Sequence, residues 1–228
     1  MIYVIDLLDG EDLKYVNDLF DSADFREGKT SGGIVKDLKN NLEISKGYEW
    51  SKLQQYVVKK KNKSETFLNI TTAKQYSGVL FAKYESGMYY NSHVDDYSME
   101  NGGRTDCSVT IFLNDPEEYE GGELQLTIGN QEYSYKLKSG QCLIYPTGVK
   151  HKINPVKSGI RKVCVLWVES CISDIDIRNM MADYYFMWSK YSLDILEKIG
   201  SDAYNDILNI KMRLMRKFGN FTGVDYGK

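Results

Sequence analysis

The sequence predicts an α+β protein with a β sandwich or barrel in the middle of the chain and helices on either side. Three observations carry that expectation. From Gly78 to about residue 170, short apolar segments recur at regular intervals with Gly, Pro, Asn and Asp turns between them, the pattern of antiparallel β architectures rather than of a doubly wound sheet. Before that region, Leu13, Val16, Leu19 and Phe20 keep helical spacing. After it, Ile177, Met180, Met181, Tyr184, Trp188, Tyr191 and Ile195 give one apolar stripe, and Tyr204, Ile207, Leu208, Met212 and Met215 give a second.

In order, Ile2 to Leu8 reads as a first strand. Asp9 is placed to cap a helix that runs to about Asp21, with acids in its first turn. Phe25 to Gly33 reads as a loop or hairpin. Leu38 to Lys61 reads as a loop and then a helix from about Ser51. The run Lys59-Lys60-Lys61-Asn62-Lys63 reads as a solvated helix end. Strands are expected over 79–84, 88–94, 107–113, 123–128, 132–137, 141–145 and 162–169, with the alternation placing Leu124, Leu126 and Ile128 on one face. The polar stretch from Asp96 to Thr105 reads as a mobile loop. Gly200 ends the first C-terminal helix, and Ser201-Asp202 are placed to cap the second.

The chain has 228 residues, 42% hydrophobic and 27% charged, with a net charge of −3, which gives no bulk attraction to a polyanion. The N-terminus carries no basic segment followed by a long apolar run, so no signal peptide is expected, and no apolar stretch approaches a membrane span. Cys107, Cys142, Cys164 and Cys171 lack C-x-x-C spacing and read as buried free thiols of a cytoplasmic protein.

The chemistry centres on the only two histidines, His93 and His151. His93 precedes Asp95 by two, so in an extended strand both side chains face one way. Two imidazoles and one carboxylate, with the remaining positions open, make the facial set of non-haem Fe(II) oxygenases, although zinc can use the same ligands. Arg161 separates iron from zinc. Strand parity puts it on one face with Val163, Val165 and Trp167, where a guanidinium is costly unless an anion meets it. A carboxylate ligand would receive it bidentately, and 2-oxoglutarate has a distal carboxylate to offer.

These segments together resemble the PKHD-type hydroxylases, within the prolyl-4-hydroxylase-like Fe(II)/2-oxoglutarate dioxygenases. The resemblance lies in 84–95 (YESGMYYNSHVD), 104–116 (RTDCSVTIFLNDP), 119–124 (YEGGEL), Tyr145-Pro146, His151, Pro155-Val156, Gly159 with Arg161, and Trp167. It covers nearly the whole chain. It implies a double-stranded β-helix (jelly-roll) core at about 78–170, with supporting N-terminal helices and a C-terminal helical pair. The expected organisation is a dioxygenase domain over 1–172 and a helical extension over 173–228 packed on it.

The resemblance further implies iron ligation by His93, Asp95 and His151 and co-substrate binding by Arg161 with Tyr84. Tyr90 and Arg104 are candidate substrate contacts. The cofactors implied are Fe(II), 2-oxoglutarate and O2, with ascorbate as a further candidate. Phe112 stands near a position where animal prolyl hydroxylases have a tyrosine. The expected reaction is hydroxylation of a prolyl or other peptidyl residue, giving succinate and CO2. The rivals are a nucleobase-demethylating dioxygenase, which would call for a basic groove, and a non-catalytic metal-binding interaction module. A peptide or protein partner is expected, nucleic acid and membrane are not, and homo-oligomerisation stays open.

Overall fold

The computed structural model describes residues 2–31, 38–100 and 102–222. In chain order the elements are β1 (Tyr3–Asp6), α1 (Gly10–Ser22), β2 (Phe25–Glu27), β3 (Lys39–Asn40), β4 (Leu42–Ile44), α2 (Tyr48–Lys63), α3 (Glu65–Thr71), β5 (Ala73–Tyr76), β6 (Leu80–Tyr84), β7 (Tyr89–His93), β8 (Cys107–Phe112), β9 (Tyr119–Gly121), β10 (Leu124–Ile128), β11 (Gln131–Tyr135), β12 (Gln141–Pro146), β13 (Lys150–Ile153), β14 (Val156–Gly159), β15 (Arg161–Ser170), α4 (Ile175–Lys198) and α5 (Ser201–Phe218). A major sheet runs β1-β12-β8-β15-β6-β4-β2, with β5 added to β15; a minor sheet runs β11-β10-β13-β7-β3; β9 and β14 form a separate ribbon. The pairings are antiparallel, and the two sheets with their helical cover make the α+β, jelly-roll arrangement.

Strand parity builds two cores from one strand. On β15, Cys164, Leu166 and Val168 face outward and pack with Val16 and Phe20 of α1, Leu53 and Val57 of α2, and Phe67 and Ile70 of α3. Arg161, Val163, Val165 and Trp167 face the space between the sheets, where Val163 joins Ala82, Tyr84, Phe112, Leu124, Leu126, Leu143, Tyr145 and Ile153. Burying one side of every strand this way is the main favourable term, and the helices serve to cover the major sheet. Asp9 caps α1 as its sequence suggests: its Oδ1 accepts from Asp12 N at 2.9 Å while Asp12 Oδ2 accepts from Asp9 N at 3.0 Å.

Several expectations need correction. Residues 38–50 are not a loop: β3 joins the minor sheet and β4 the major one, and α2 begins at Tyr48, three residues before Ser51. The 25–33 stretch is partly strand, with β2 paired to β4 and a 3-10 turn at Gly28–Ser31; Gly32 and Gly33 lie outside the described residues. Helix α3 and strand β5 had no clear periodic signal. Within the lysine run, Lys61 is buried, not solvated. Its position continues the Leu53, Val57 stripe at four-residue spacing, so its stem enters the core and its Nζ sits 2.7 Å from the Tyr76 ring centroid. Burial pushes its ammonium down to about 7.

Ile128, at the open end of β10, is exposed despite its parity. The same holds for Met180 and Tyr191 on α4 and Met212 on α5: α4 packs chiefly on α3 and α5, and its buried residues are Arg178, Met181 and Ala182. Gly200, not Ser201-Asp202, occupies the cap position before α5; Ser201 is already the first helical residue. The four cysteines are buried free thiols. Among the described residues no helix is long and apolar enough to cross a membrane.

Candidate active site

His93 and His151 are direct cross-strand partners on β7 and β13, so both rings leave the minor sheet on its inner face. Each ring is fixed by its Nδ1, which meets the carbonyl of the residue two positions earlier: Asn91 O at 2.8 Å for His93 and Val149 O at 2.9 Å for His151. That contact places the proton on Nδ1 and leaves both Nε2 lone pairs free. Asp95 is not on the strand, which ends at His93; it sits two residues into the following loop. Its Oδ1 still reaches 3.8 Å from His93 Nε2 and 3.6 Å from His151 Nε2. The carboxylate is aimed by Ser108 Oγ and Trp167 Nε1, which donate to Oδ2 at 2.6 and 2.8 Å.

Three ligand atoms of these residues therefore lie within 4.8 Å of one another, two nitrogen and one oxygen, offered by β7, β13 and the loop after β7 and facing the cavity between the sheets. The donor chemistry fits a divalent iron with exchangeable positions. Burial, then the neighbouring His151, pushes His93 down to about 4, so it stays a neutral ligand through ordinary pH. Because the folded value lies below the usual 6.5 of the unfolded chain, metal-free stability contributed by neutral His93 is fully present above about 6.5 and lost as pH falls towards 4. Metal-free protein is expected to lose more melting temperature between pH 7 and 4.5 than its His93→Leu variant, as paired thermal melts would reveal.

The triad opens into a cavity of about 510 Å³ between the sheets. At its other end Arg161 is 1% exposed, stacked 5.2 Å from the Tyr84 ring centroid and 5.4 Å from that of Phe112. Tyr84 faces it directly across β6 and β15. Gly122 leaves room for the arginine stem, since a Cβ there would stand 3.1 Å from Arg161 Cδ. Arg161 Nε and Nη2 find no hydrogen-bond partner among the described residues, and the Tyr119 hydroxyl stands close without closing a bond of good geometry. A buried guanidinium with unmet donors facing a cavity fits a carboxylate-bearing ligand such as 2-oxoglutarate.

Tyr90 lies flat on the His93 ring, centroids 3.6 Å apart, and lines the cavity. Arg104 is brought elsewhere: its guanidinium is taken by Asp106 and Glu169, each at 3.0 Å, and by the Ser170 carbonyl. Sequence reasoning missed Ser108 as a partner of Asp95, and it missed a polar wall formed by Ser31, Lys39, Asn41 and Glu43. Lys39 pairs with Glu43 inside that wall, and Ser31 donates to the same Glu43 oxygen at 2.7 Å. The alternation Lys39, Asn41, Glu43 was the available signal. Trp167 shared Arg161's parity, but only the fold reveals that its indole holds Asp95. Trp167→Phe is expected to weaken metal binding by roughly 10–100-fold with the fold intact, measurable by competition with a chelator.

Residues 79–169 match the family model of the 2OG-Fe(II) oxygenase superfamily. Over 186 residues the chain is 36% identical to a PKHD-type hydroxylase of Acaryochloris marina, covering 80% of this chain and 84% of that one. The chain belongs to the 2OG-Fe(II) oxygenase superfamily. A PKHD-type hydroxylase of Thermosynechococcus vestitus is 33% identical over 225 residues, 96% of this chain and 99% of its own. Among solved structures, a Pseudomonas putida prolyl-4-hydroxylase superposes with a TM-score of 0.52 at 16% identity, covering 74% of this chain and 92% of that chain, which is a likeness of fold. The oxygenase thus takes Fe(II), 2-oxoglutarate and O2, and is a PKHD-type hydroxylase.

Proposed function

We propose that this oxygenase hydroxylates a peptidyl residue, with proline the first choice, using Fe(II) held by His93, Asp95 and His151 and 2-oxoglutarate seated with its distal carboxylate on Arg161. The observation that carries the reading is the union, in one cavity, of a free two-histidine, one-carboxylate set and a buried arginine with unmet donors. When bound, the iron and co-substrate supply the oxidising chemistry, in which O2 is consumed, 2-oxoglutarate becomes succinate and CO2, and one oxygen atom enters the substrate. The protein's part is to hold and orient. The Asn91 and Val149 carbonyls keep both imidazoles in the ligating tautomer, and Ser108 and Trp167 fix the carboxylate. Leu124, Ile153, Val163 and Val165 line the same cavity with apolar surface and limit water.

A peptide suits the rim, where Tyr97 is 85% exposed and Val94 also projects, giving an open apolar edge beside the metal set. Related folds include a Trichoplax adhaerens prolyl hydroxylase in complex with a hypoxia inducible factor peptide fragment and a viral collagen prolyl hydroxylase. In this reading residues 1–172 form the catalytic unit and 173–228 a helical extension. The test is aerobic incubation with Fe(II), 2-oxoglutarate and proline-containing peptide libraries. A peptide product heavier by one oxygen, with succinate formed in step, is expected. Succinate formation stimulated by a nucleic acid or a small metabolite, and by no peptide, would overturn the substrate class.

A further inference from the structure

Asn41 links β3 to β4 and lies on the cavity wall, 3% exposed. Neither atom of its amide has a hydrogen-bond partner among the described residues. An amide left so in the interior is costly, which makes it a mark of something the cavity is built to receive. The register says what lies beside it. Leu42 pairs with Lys83 and Glu43 with Ala82, so Asn41 continues the ladder towards Tyr84, and Tyr84 pairs with Arg161. Asn41, Tyr84 and Arg161 therefore occupy one cross-strand row on the inner face of the major sheet, where neighbouring side chains meet.

The row gathers donors. Among the described residues Arg161 Nε and Nη2 and Asn41 Nδ2 are unmet donors, Asn41 Oδ1 lies against Gly28, and the amide stands beside the Tyr84 hydroxyl without closing a bond of good geometry. Among the described residues, the carboxylate in this part of the wall is Glu43, held through Oε1 by Lys39 and Ser31, with its Oε2 left unmet. Asn41 is also seated firmly. Gly28 donates its N–H to the Asn41 carbonyl at 2.9 Å, and a Cβ on Gly28 would stand 1.8 Å from Asn41 Oδ1, so the amide rests in the space that the glycine leaves. A row of donors calls for a group that only accepts, and a carboxylate offers about four lone-pair sites.

We propose that Asn41 is a co-substrate-binding residue, its amide donating to the distal carboxylate of 2-oxoglutarate beside Arg161. This rests on the reading that Arg161 receives that carboxylate. Asn41 adds a neutral donor from the N-terminal part of the chain, and so ties β3 and β4, which close the gap between the two sheets, to co-substrate occupancy.

The experiment measures equilibrium binding by calorimetry, anaerobically with Fe(II), for two ligands: 2-oxoglutarate and 2-oxopentanoate, which keeps the keto acid and replaces the distal carboxylate by a methyl group. Asn41→Ala is expected to weaken 2-oxoglutarate about 10–100-fold, the scale of a hydrogen bond to a charged group, while 2-oxopentanoate changes by less than about twofold, within the usual scatter of a neutral contact. Equal losses for both ligands would overturn the proposal, because the residue would then act through the fold or at the keto end. No loss for either would also overturn it, leaving the amide to water. Arg161→Leu separates this inference from the broader reading: if the parent binds both ligands equally and Arg161→Leu changes neither, the carboxylate site itself is misassigned. If Arg161→Leu selectively loses 2-oxoglutarate and Asn41→Ala does not, only the role of Asn41 fails.

Discussion

Arg161→Leu is expected to raise the melting temperature of the ligand-free protein and to abolish its stabilisation by 2-oxoglutarate. The two effects have opposite signs and one origin. Arg161 is fully buried, its guanidinium rests between the Tyr84 and Phe112 rings, and two of its nitrogens have no acceptor among the described residues. Burial pulls its pKa below the usual arginine value, with only nearby tyrosines to oppose it. Exchanging buried charge for apolar volume is often neutral or stabilising by about 1–4 kcal/mol. Leucine is smaller than arginine, so part of that gain is lost to a void. A net gain near 1 kcal/mol would raise the melting temperature by about 2–4 °C in a chain of this size. In the parent, a ligand at 100 times its Kd adds about 2.7 kcal/mol. The variant lacks the fork that receives the carboxylate, so its affinity should fall by at least about thirtyfold, from a loss of about 2–5 kcal/mol. Thermal melts with and without 2-oxoglutarate test both parts. A variant that is less stable without ligand yet still stabilised by it would contradict the account.

His151→Ala is expected to remove activity by more than the roughly 10–100-fold assigned to outer partners of a metal, because it deletes a ligand and not its support. His151 stands between His93, 4.2 Å away ring to ring, and Tyr145, 5.4 Å away, so alanine leaves a gap lined by one imidazole and a tyrosine. The remaining His93 and Asp95 form a two-point site. Fe(II) retention by anaerobic dialysis should fall together with succinate output, while Asp95 keeps its bonds from Ser108 and Trp167. Normal iron retention with lost turnover would mean that His151 acts on something other than the metal.

Much of this arrangement was legible because local pattern and tertiary role coincide. The alternation along β15 put Arg161, Val163, Val165 and Trp167 inward and Cys164, Leu166 and Val168 outward, and burial on both sides leaves that parity intact. His93 and Asp95 were paired for a reason that is only half right, since Asp95 lies beyond the strand and is aimed by two donors far away in sequence. What was not legible depended on distant partners. Strand β4 carries a buried glutamate that makes sense only beside Lys39 and Ser31, so its segment looks like a polar loop. Lys61 looked solvated because its run is charged, although its spacing from Leu53 and Val57 marks the helix face that enters the core.

The most direct test of the central claim is an anaerobic titration followed by visible absorption. Fe(II) and 2-oxoglutarate are added separately and then together to the parent protein, His151→Ala and Arg161→Leu. If His93, Asp95, His151 and Arg161 make one site, a new band appears only in the parent, and only with both additions. The same band in either variant, or its absence from a parent that binds both components, would contradict it.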